Sequence, residues 1–102
     1  ALSQTFIQDL NPNVAGIDTL YLADDRGLAM GGGVQKWAFN GATWTQVTTF
    51  NSGITTGLRG LAAVKLPDGT IALFATTANA TNSLVRFIDD FVHNPTATVL
   101  AT

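Results

Sequence analysis

The sequence predicts an all-β fold built from eight short antiparallel strands. Short runs rich in Thr, Val, Leu, Ile and Phe alternate with clusters of Gly, Asn, Asp and Pro, the residues that turns favour. Glutamate is absent, and no segment shows the sustained 3.6-residue period of an amphipathic helix. The two halves of the chain also resemble each other, which is typical of a repeated all-β unit.

The first half is predicted to contain four strands, at residues 4–9, 19–23, 34–39 and 43–49. Asn40-Gly41 gives the clearest turn between them, because a two-residue hairpin loop needs positive φ and both residue types tolerate it. The second half is predicted to repeat the pattern at residues 59–66, 70–77, 83–88 and 96–102. Pro67-Asp68-Gly69 separates the first two of these strands as a tight turn.

An alignment of the two halves places similar residues in the same order. It pairs Tyr21 with Leu73, Leu22 with Phe74, Ala23 with Ala75, Val34 with Leu84, Lys36 with Arg86 and Trp37 with Phe87. Residues 45–48 align with residues 97–100 after a small shift. The repeat therefore predicts two units within one structural domain, residues 1–51 and residues 52–102.

A unit of four antiparallel strands and this length has the size of a β-propeller blade, whose sheet packs face to face on the next blade around an axis. The runs "TLYLA" and "IALFAT" have almost no polar alternation, as expected for strands that are covered on both faces. We therefore predict two four-stranded antiparallel propeller blades. A jelly-roll or immunoglobulin-like sandwich is the alternative, and it predicts one wet face per sheet without a half-chain repeat.

The composition argues against several classes of protein. Only 12% of the 102 residues are charged, and the net charge is −2. The five cations are scattered singly, so no basic stripe is available to neutralise a nucleic-acid backbone. Without cysteine the chain has neither disulfides nor thiolate metal sites. No apolar run approaches the roughly 20 residues that span a bilayer.

Several phrases taken together, "TLYLADDR", "GGGVQKWAFNGATWTQV", "GLRGLAAV", "NSLVRFID" and "TATVLAT", resemble blades of a poorly characterised family of bacterial extracellular β-propeller proteins. The resemblance covers residues 19–102. It implies the propeller fold and a secreted or extracellular location, and it brings no catalytic residues. The N-terminal segment departs from the family pattern, because it lacks the pair seen at Arg59-Gly60.

Two blades do not close a ring, so each would leave an apolar sheet face uncovered. We expect copies of the chain to complete the ring through head-to-tail interfaces, as a trimer with six blades or a tetramer with eight. Two-bladed lectins that build six-bladed rings provide an analogy. The alternative is that the 102 residues are a segment of a longer single-chain propeller.

Two loop features have the composition of ligand sites. Asp24 and Asp25 follow a predicted strand, where paired carboxylates can bind calcium. The alternating acidic spacing of a calcium loop is missing, which favours a hydrogen-bonding role at the strand end, and no metal is predicted. The glycines at 31–33 precede a strand and not a helix, which favours a turn with close backbone approach over a phosphate-binding loop.

Four single residues were weighed as ligand or catalytic groups. Trp37 and Trp44 could stack on a sugar ring, but Trp37 aligns with Phe87, which favours packing between blades. Arg59 could bind an anionic or sugar ligand, although an inter-blade salt bridge, with an aspartate such as Asp24, or a carbonyl contact is favoured. His93 has no serine or carboxylate at a spacing that suggests a triad.

The sequence thus favours a non-enzymatic scaffold or interaction module that assembles with copies of itself, without a cofactor or catalytic residues. The alternative is a carbohydrate-binding lectin of the two-bladed propeller type. Its candidate ligand-binding residues are Trp44, Arg59, Asp24, Asp25 and Trp37.

Overall fold

The structure, a computed structural model, describes residues 2–8, 18–78 and 82–102. These residues form eight strands, β1 (Leu2–Gln8), β2 (Thr19–Asp24), β3 (Gly33–Phe39), β4 (Trp44–Phe50), β5 (Leu58–Lys65), β6 (Ile71–Thr77), β7 (Leu84–Asp89) and β8 (Thr98–Ala101). The all-β prediction is confirmed, and the predicted strands match these bounds to within two residues. Asp9, at the end of the first predicted strand, lies outside the described residues. In the same described ranges, no helix is long and apolar enough to cross a membrane.

The strands form two antiparallel sheets in which every strand pairs with its neighbours in sequence. Sheet 1 has the order β1-β2-β3-β4 and sheet 2 has the order β5-β6-β7-β8. The hairpin predicted at Asn40-Gly41 is present, but its loop spans the four residues 40–43 between the paired Phe39 and Trp44, and of the two turn residues only Gly41 has positive φ, 98°. The Asn40 side-chain oxygen accepts hydrogen bonds from the N–H groups of Ala42 and Thr43. Gly69 has φ 90° in the predicted turn between β5 and β6.

The hydrophobic core lies between the two sheets. Sheet 1 contributes Tyr21, Ala23, Val34 and Phe50, and sheet 2 contributes Leu58, Ile71, Leu73, Ala75, Val85 and Phe87. The rings of Phe50 and Phe87 meet at a centroid distance of 6.1 Å, close enough for a tilted aromatic contact between the sheets. β5 runs close to β1 and β2, so the sheets approach each other at their first strands.

Each sheet has a second apolar face that the core does not use. The free face of sheet 1 carries Leu20, Leu22, Trp37, Phe39 and Trp44, and the free face of sheet 2 carries Ala62, Val64, Phe74, Leu84 and Ile88. These positions alternate along the strands with the core residues, because successive side chains of a strand point to opposite faces. Among the described residues, none of them belongs to the core cluster.

The strand register corrects one part of the repeat alignment. Tyr21 lies opposite Lys36, whereas Arg86 lies opposite Phe74 and not opposite Leu73. The pairing of Tyr21 with Leu73 and the pairing of Lys36 with Arg86 are therefore not compatible, and keeping the second moves the partner of Tyr21 by one residue to Phe74. The physical reason is that these strands are apolar on both faces, and their pattern does not reveal which face a residue occupies.

Candidate functional site

Asp24 ends β2 and is fully buried. The Arg26 guanidinium donates to both carboxylate oxygens of Asp24, and the Gln35 side-chain amide donates to Oδ2 at 2.7 Å. The hydrogen bonds from Arg26 stabilise the charged form and lower the pKa of Asp24. Asp24 therefore has hydrogen-bonding partners of its own at the strand end, and Asp25 follows it in a partly buried position.

Gln35 connects Asp24 to Trp37 across the free face of sheet 1. The Trp37 indole Nε1–H donates to Gln35 Oε1 at 3.1 Å, and the Gln35 amide donates to Asp24. Sequence reasoning missed Gln35, although its spacing was available, because residues two apart in a strand share a face. The network fixes the orientation of the Trp37 ring on this face.

The two tryptophans lie outside the core between the sheets. Trp37 is partly buried on the free face of sheet 1, whereas Phe87, its counterpart in the alignment, is fully buried between the sheets. Within one chain, Trp37 therefore does not pack between the sheets as expected. Its side chain lies on the face of sheet 1 opposite the face that carries Lys36. Trp44 is 40% exposed and packs on Phe39 with ring centroids 5.2 Å apart.

Arg59 does not pair with Asp24. Its guanidinium donates to the carbonyl oxygen of Ala78 at 3.2 Å, and Arg26 already occupies the Asp24 carboxylate. Of the two contacts expected for Arg59, a carbonyl contact forms, although within its own half of the chain, and the salt bridge with Asp24 does not. Trp44 lies at the other end of sheet 1 from Asp24, so the residues proposed for a ligand do not converge on one site.

The glycine-rich loop brings backbone segments into close contact. A Cβ atom at Gly32 would fall 1.8 Å from the carbonyl oxygen of Arg26, and one at Gly57 would fall 2.3 Å from the same oxygen. Gly31 has φ 102°, in the left-handed region. The close backbone approach predicted for this loop is confirmed. Gly57, in the segment that joins β4 to β5, lies against the same loop.

A charged cluster joins the two sheets near the middle of the molecule. Lys36 Nζ lies 2.7 Å from Asp89 Oδ2, and the Tyr21 hydroxyl donates to the same oxygen at 2.7 Å. Burial raises the pKa of Tyr21, and the hydrogen bond to Asp89 raises it further. The sequence signal for this cluster was a single charged residue, Lys36, inside the strand that contains Trp37.

A cleft of about 310 Å³ opens beside this cluster, between sheet 1 and the loop that follows β7. Its lining consists of Lys36, Val47, Thr48, Phe50, Asp89, Phe91, Val92, His93 and Asn94. The loop is held by side-chain acceptors, because Asp89 Oδ1 accepts from the Phe91 N–H and Asp90 Oδ1 accepts from the N–H groups of Val92 and His93. The backbone hydrogen bond from His93 is the main reason that the pKa of Asp90 is lowered.

In the part of the chain that the structure describes, no group of three or more acidic or histidine side chains is placed to hold a metal ion. His93 pairs with Asp90, its Nδ1 lying 2.9 Å from Asp90 Oδ2, and its side chain is largely exposed. No family model, no curated protein and no solved structure matches the chain at a significant level. The function is therefore inferred from the geometry of the two free faces and of the cleft.

Proposed function

We propose that the chain is a non-enzymatic scaffold module of two propeller-type blades that assembles with copies of itself into a closed ring. The observation that carries this proposal is that each sheet has a second face with apolar side chains outside the core between the sheets, of which Trp44, Val64 and Leu84 are 40%, 52% and 37% exposed. Burial of apolar surface contributes about 25 cal/mol per Å². Two such faces on one small chain therefore favour association.

The registers of the two sheets support the idea of a repeated blade. One row of opposed residues crosses three strands of each sheet, Tyr21, Lys36 and Thr48 in sheet 1 and Phe74, Arg86 and Thr98 in sheet 2. Each sheet also has a register irregularity near the start of its first strand. The strands of the two sheets therefore correspond one to one.

The corresponding rows have different surroundings. Tyr21 and Lys36 face sheet 2, whereas Phe74 and Arg86 lie on the free face of sheet 2. Lys36 finds an acceptor in Asp89 on the neighbouring sheet, whereas Arg86 Nε is buried without a hydrogen-bond partner among the described residues. A further sheet, packed on sheet 2 as sheet 2 packs on sheet 1, would cover Phe74 and place acceptors near Arg86.

By the same correspondence of strands, the free face of sheet 1 is equivalent to the face of sheet 2 that packs on sheet 1. In the corrected register, Leu20 and Trp37 on the free face match Leu73 and Phe87 in the core. The two free faces of one chain are therefore complementary to each other. In the ring, the free face of sheet 2 in one copy packs on the free face of sheet 1 in the next copy. Such contacts are head-to-tail, and three or four chains joined in this way close a ring.

The mass in solution tests this proposal. Light scattering is expected to give three or four times the chain mass of 10.7 kDa. Val64→Asp places a charge on the free face of sheet 2, which every head-to-tail contact would use, and is expected to reduce the mass to that of one chain. Val92→Asp is the matched control, because Val92 is exposed in the loop after β7, away from both free faces, and it should leave the mass unchanged. A wild-type chain that stays monomeric at all concentrations would contradict the proposal.

A further inference from the structure

The cleft between the two sheets has the size and the polar floor of a small-molecule site. Its volume of about 310 Å³ lies at the lower end of the range that ligand pockets occupy, roughly 300 to 1,000 Å³. It is formed within one chain by β3, β4 and the loop after β7, and it does not involve the free face of either sheet. A ligand there would therefore be independent of the ring assembly.

The floor of the cleft offers hydrogen-bonding capacity that the protein does not use. Lys36 Nζ makes one hydrogen bond, to Asp89, and an ammonium group has three N–H donors. The carboxylate of Asp89 is 3% exposed, and it accepts from Lys36, from Tyr21 and from the backbone of Phe91. Thr48 and Asn94 add a hydroxyl and an amide to the lining. Donors and acceptors are therefore both available within a small volume.

The rim of the cleft is apolar and exposed. Val47, Phe91 and Val92 are each about half exposed or more. Phe91 has φ 67°, in the left-handed region that a residue with a side chain rarely adopts. Asp89 and Asp90 hold the loop in this conformation by accepting backbone hydrogen bonds, and the Phe91 ring centroid lies 4.5 Å from Lys36 Nζ with about half of the residue's surface open to solvent.

We propose that this cleft binds one unit of a neutral saccharide, with its hydroxyl groups on Lys36 and Thr48 and an apolar ring face against Phe91. The charges in the cleft favour a neutral ligand. Lys36 and Asp89 compensate each other, a phosphate or carboxylate would face the carboxylate of Asp89, and a cation would face Lys36. A hydroxylated ring supplies both donors and acceptors, and charge-assisted hydrogen bonds to such groups are the strong ones.

The site differs from that of the lectin alternative considered from sequence. Neither Trp44 nor Arg59 lines the cleft. The residues that carry the proposal came together only in the folded chain, because Lys36 and Phe91 belong to different halves of the sequence.

The experiment is a binding titration by NMR chemical shifts with a panel of neutral sugars: glucose, galactose, mannose, fucose and N-acetylglucosamine. At least one is expected to bind saturably, with shifts centred on β4 and the loop after β7, and inorganic phosphate is expected not to bind. Phe91→Gly removes the ring and suits the positive φ, and Thr48→Val removes the hydroxyl at nearly constant shape. Each should weaken binding by about tenfold or more, equivalent to the loss of about 1.4 kcal/mol.

Two further variants separate this proposal from the ring proposal. Val92→Asp should abolish saccharide binding and leave the mass in solution unchanged, whereas Val64→Asp should lower the mass and leave binding unchanged. Absence of saturable binding by every sugar of the panel would overturn the proposal. Binding that survives Phe91→Gly and Thr48→Val would equally overturn it, since the sugar would then occupy another place.

Discussion

Lys36 Nζ on sheet 1 lies 2.7 Å from Asp89 Oδ2 on sheet 2, in a contact between residues 53 positions apart. Both side chains are largely buried, with 13% of Lys36 and 3% of Asp89 exposed. A buried ion pair contributes little net stability, but removal of one partner leaves a charge buried without compensation. The pair therefore fixes how one sheet sits on the other.

Lys36→Met is expected to lower the free energy of unfolding by about 3 to 5 kcal/mol, because it leaves the Asp89 carboxylate buried with only neutral donors. The double variant Lys36→Met with Asp89→Leu should cost less than the sum of the single changes. Urea denaturation of the four proteins measures this coupling. Arg59→Met, which removes an exposed cation, serves as the control. Additive losses in the double variant would mean that the two residues do not interact in solution.

Asp24→Asn should cost about 1 to 3 kcal/mol at pH 7, because the amide cannot replace the carboxylate that Arg26 and Gln35 bind. The pKa of Asp24 is lowered in the folded chain, so the stabilising effect of its charge is complete above the unfolded pKa of about 3.9 and is lost as the pH falls through the folded pKa. The difference between wild type and Asp24→Asn should therefore shrink as the pH falls below about 4. Gln46→Ala, which changes no charge, should show a constant difference. Chemical denaturation at pH 7 and at pH values below about 4 measures both differences. A difference for Asp24→Asn that stays constant with pH would contradict the stabilising role of the Asp24 charge.

Gly57→Ala should destabilise the chain by about 3 kcal/mol, the upper end of overpacking costs, because its Cβ would fall 2.3 Å from a backbone oxygen of Arg26. Gly27, in the loop that contains Arg26, provides the matched control. A Cβ there would have no neighbour within 4 Å, and its φ of −58° suits any residue. Gly27→Ala should therefore stay within about 0.5 kcal/mol of wild type. Equal melting temperatures for the two variants would show that this close approach does not exist in solution.

Trp37→Ala should weaken the assembly more than it weakens the single chain. A fully buried tryptophan costs about 3 to 5 kcal/mol when truncated to alanine, and Trp37 is only partly buried within one chain. In a Val64→Asp background, which is expected not to form rings, the loss should fall below that range. In the wild-type background the melting temperature should drop further and depend on protein concentration. An equal loss of stability in both backgrounds would show that Trp37 does not contribute to the proposed interface.

Local sequence features predicted the strands and turns because their physical causes are local. Asn40-Gly41 tolerates positive φ, and the short runs of β-branched and apolar residues have the length of strands. Local features did not predict which face of its sheet each residue of β2 and β6 occupies. Those strands are apolar on both faces. An alignment that pairs Tyr21 with Leu73 therefore has almost the same residue pattern as one that pairs Tyr21 with Phe74.

The candidate site was predictable only in part for a related reason. Asp24 and Trp37 were recognised by residue type, and their link through Gln35 follows from the spacing of residues along one strand and its neighbour. The cleft depends on the placement of the loop after β7 against β3 and β4, which is set by packing between the sheets. No local pattern encodes the distance between Lys36 and Phe91.

The head-to-tail assembly is tested most directly by mixing two variants that each block one free face. Leu22→Asp blocks sheet 1 and Val64→Asp blocks sheet 2, so neither protein alone should form a ring. In a head-to-tail interface, the intact face of one variant fits the intact face of the other, and an equimolar mixture should form a stable dimer of one chain of each. We expect twice the chain mass for the mixture and one chain mass for each variant alone, measured by light scattering. A mixture that remains monomeric, or a variant that still forms complete rings alone, would contradict head-to-tail assembly.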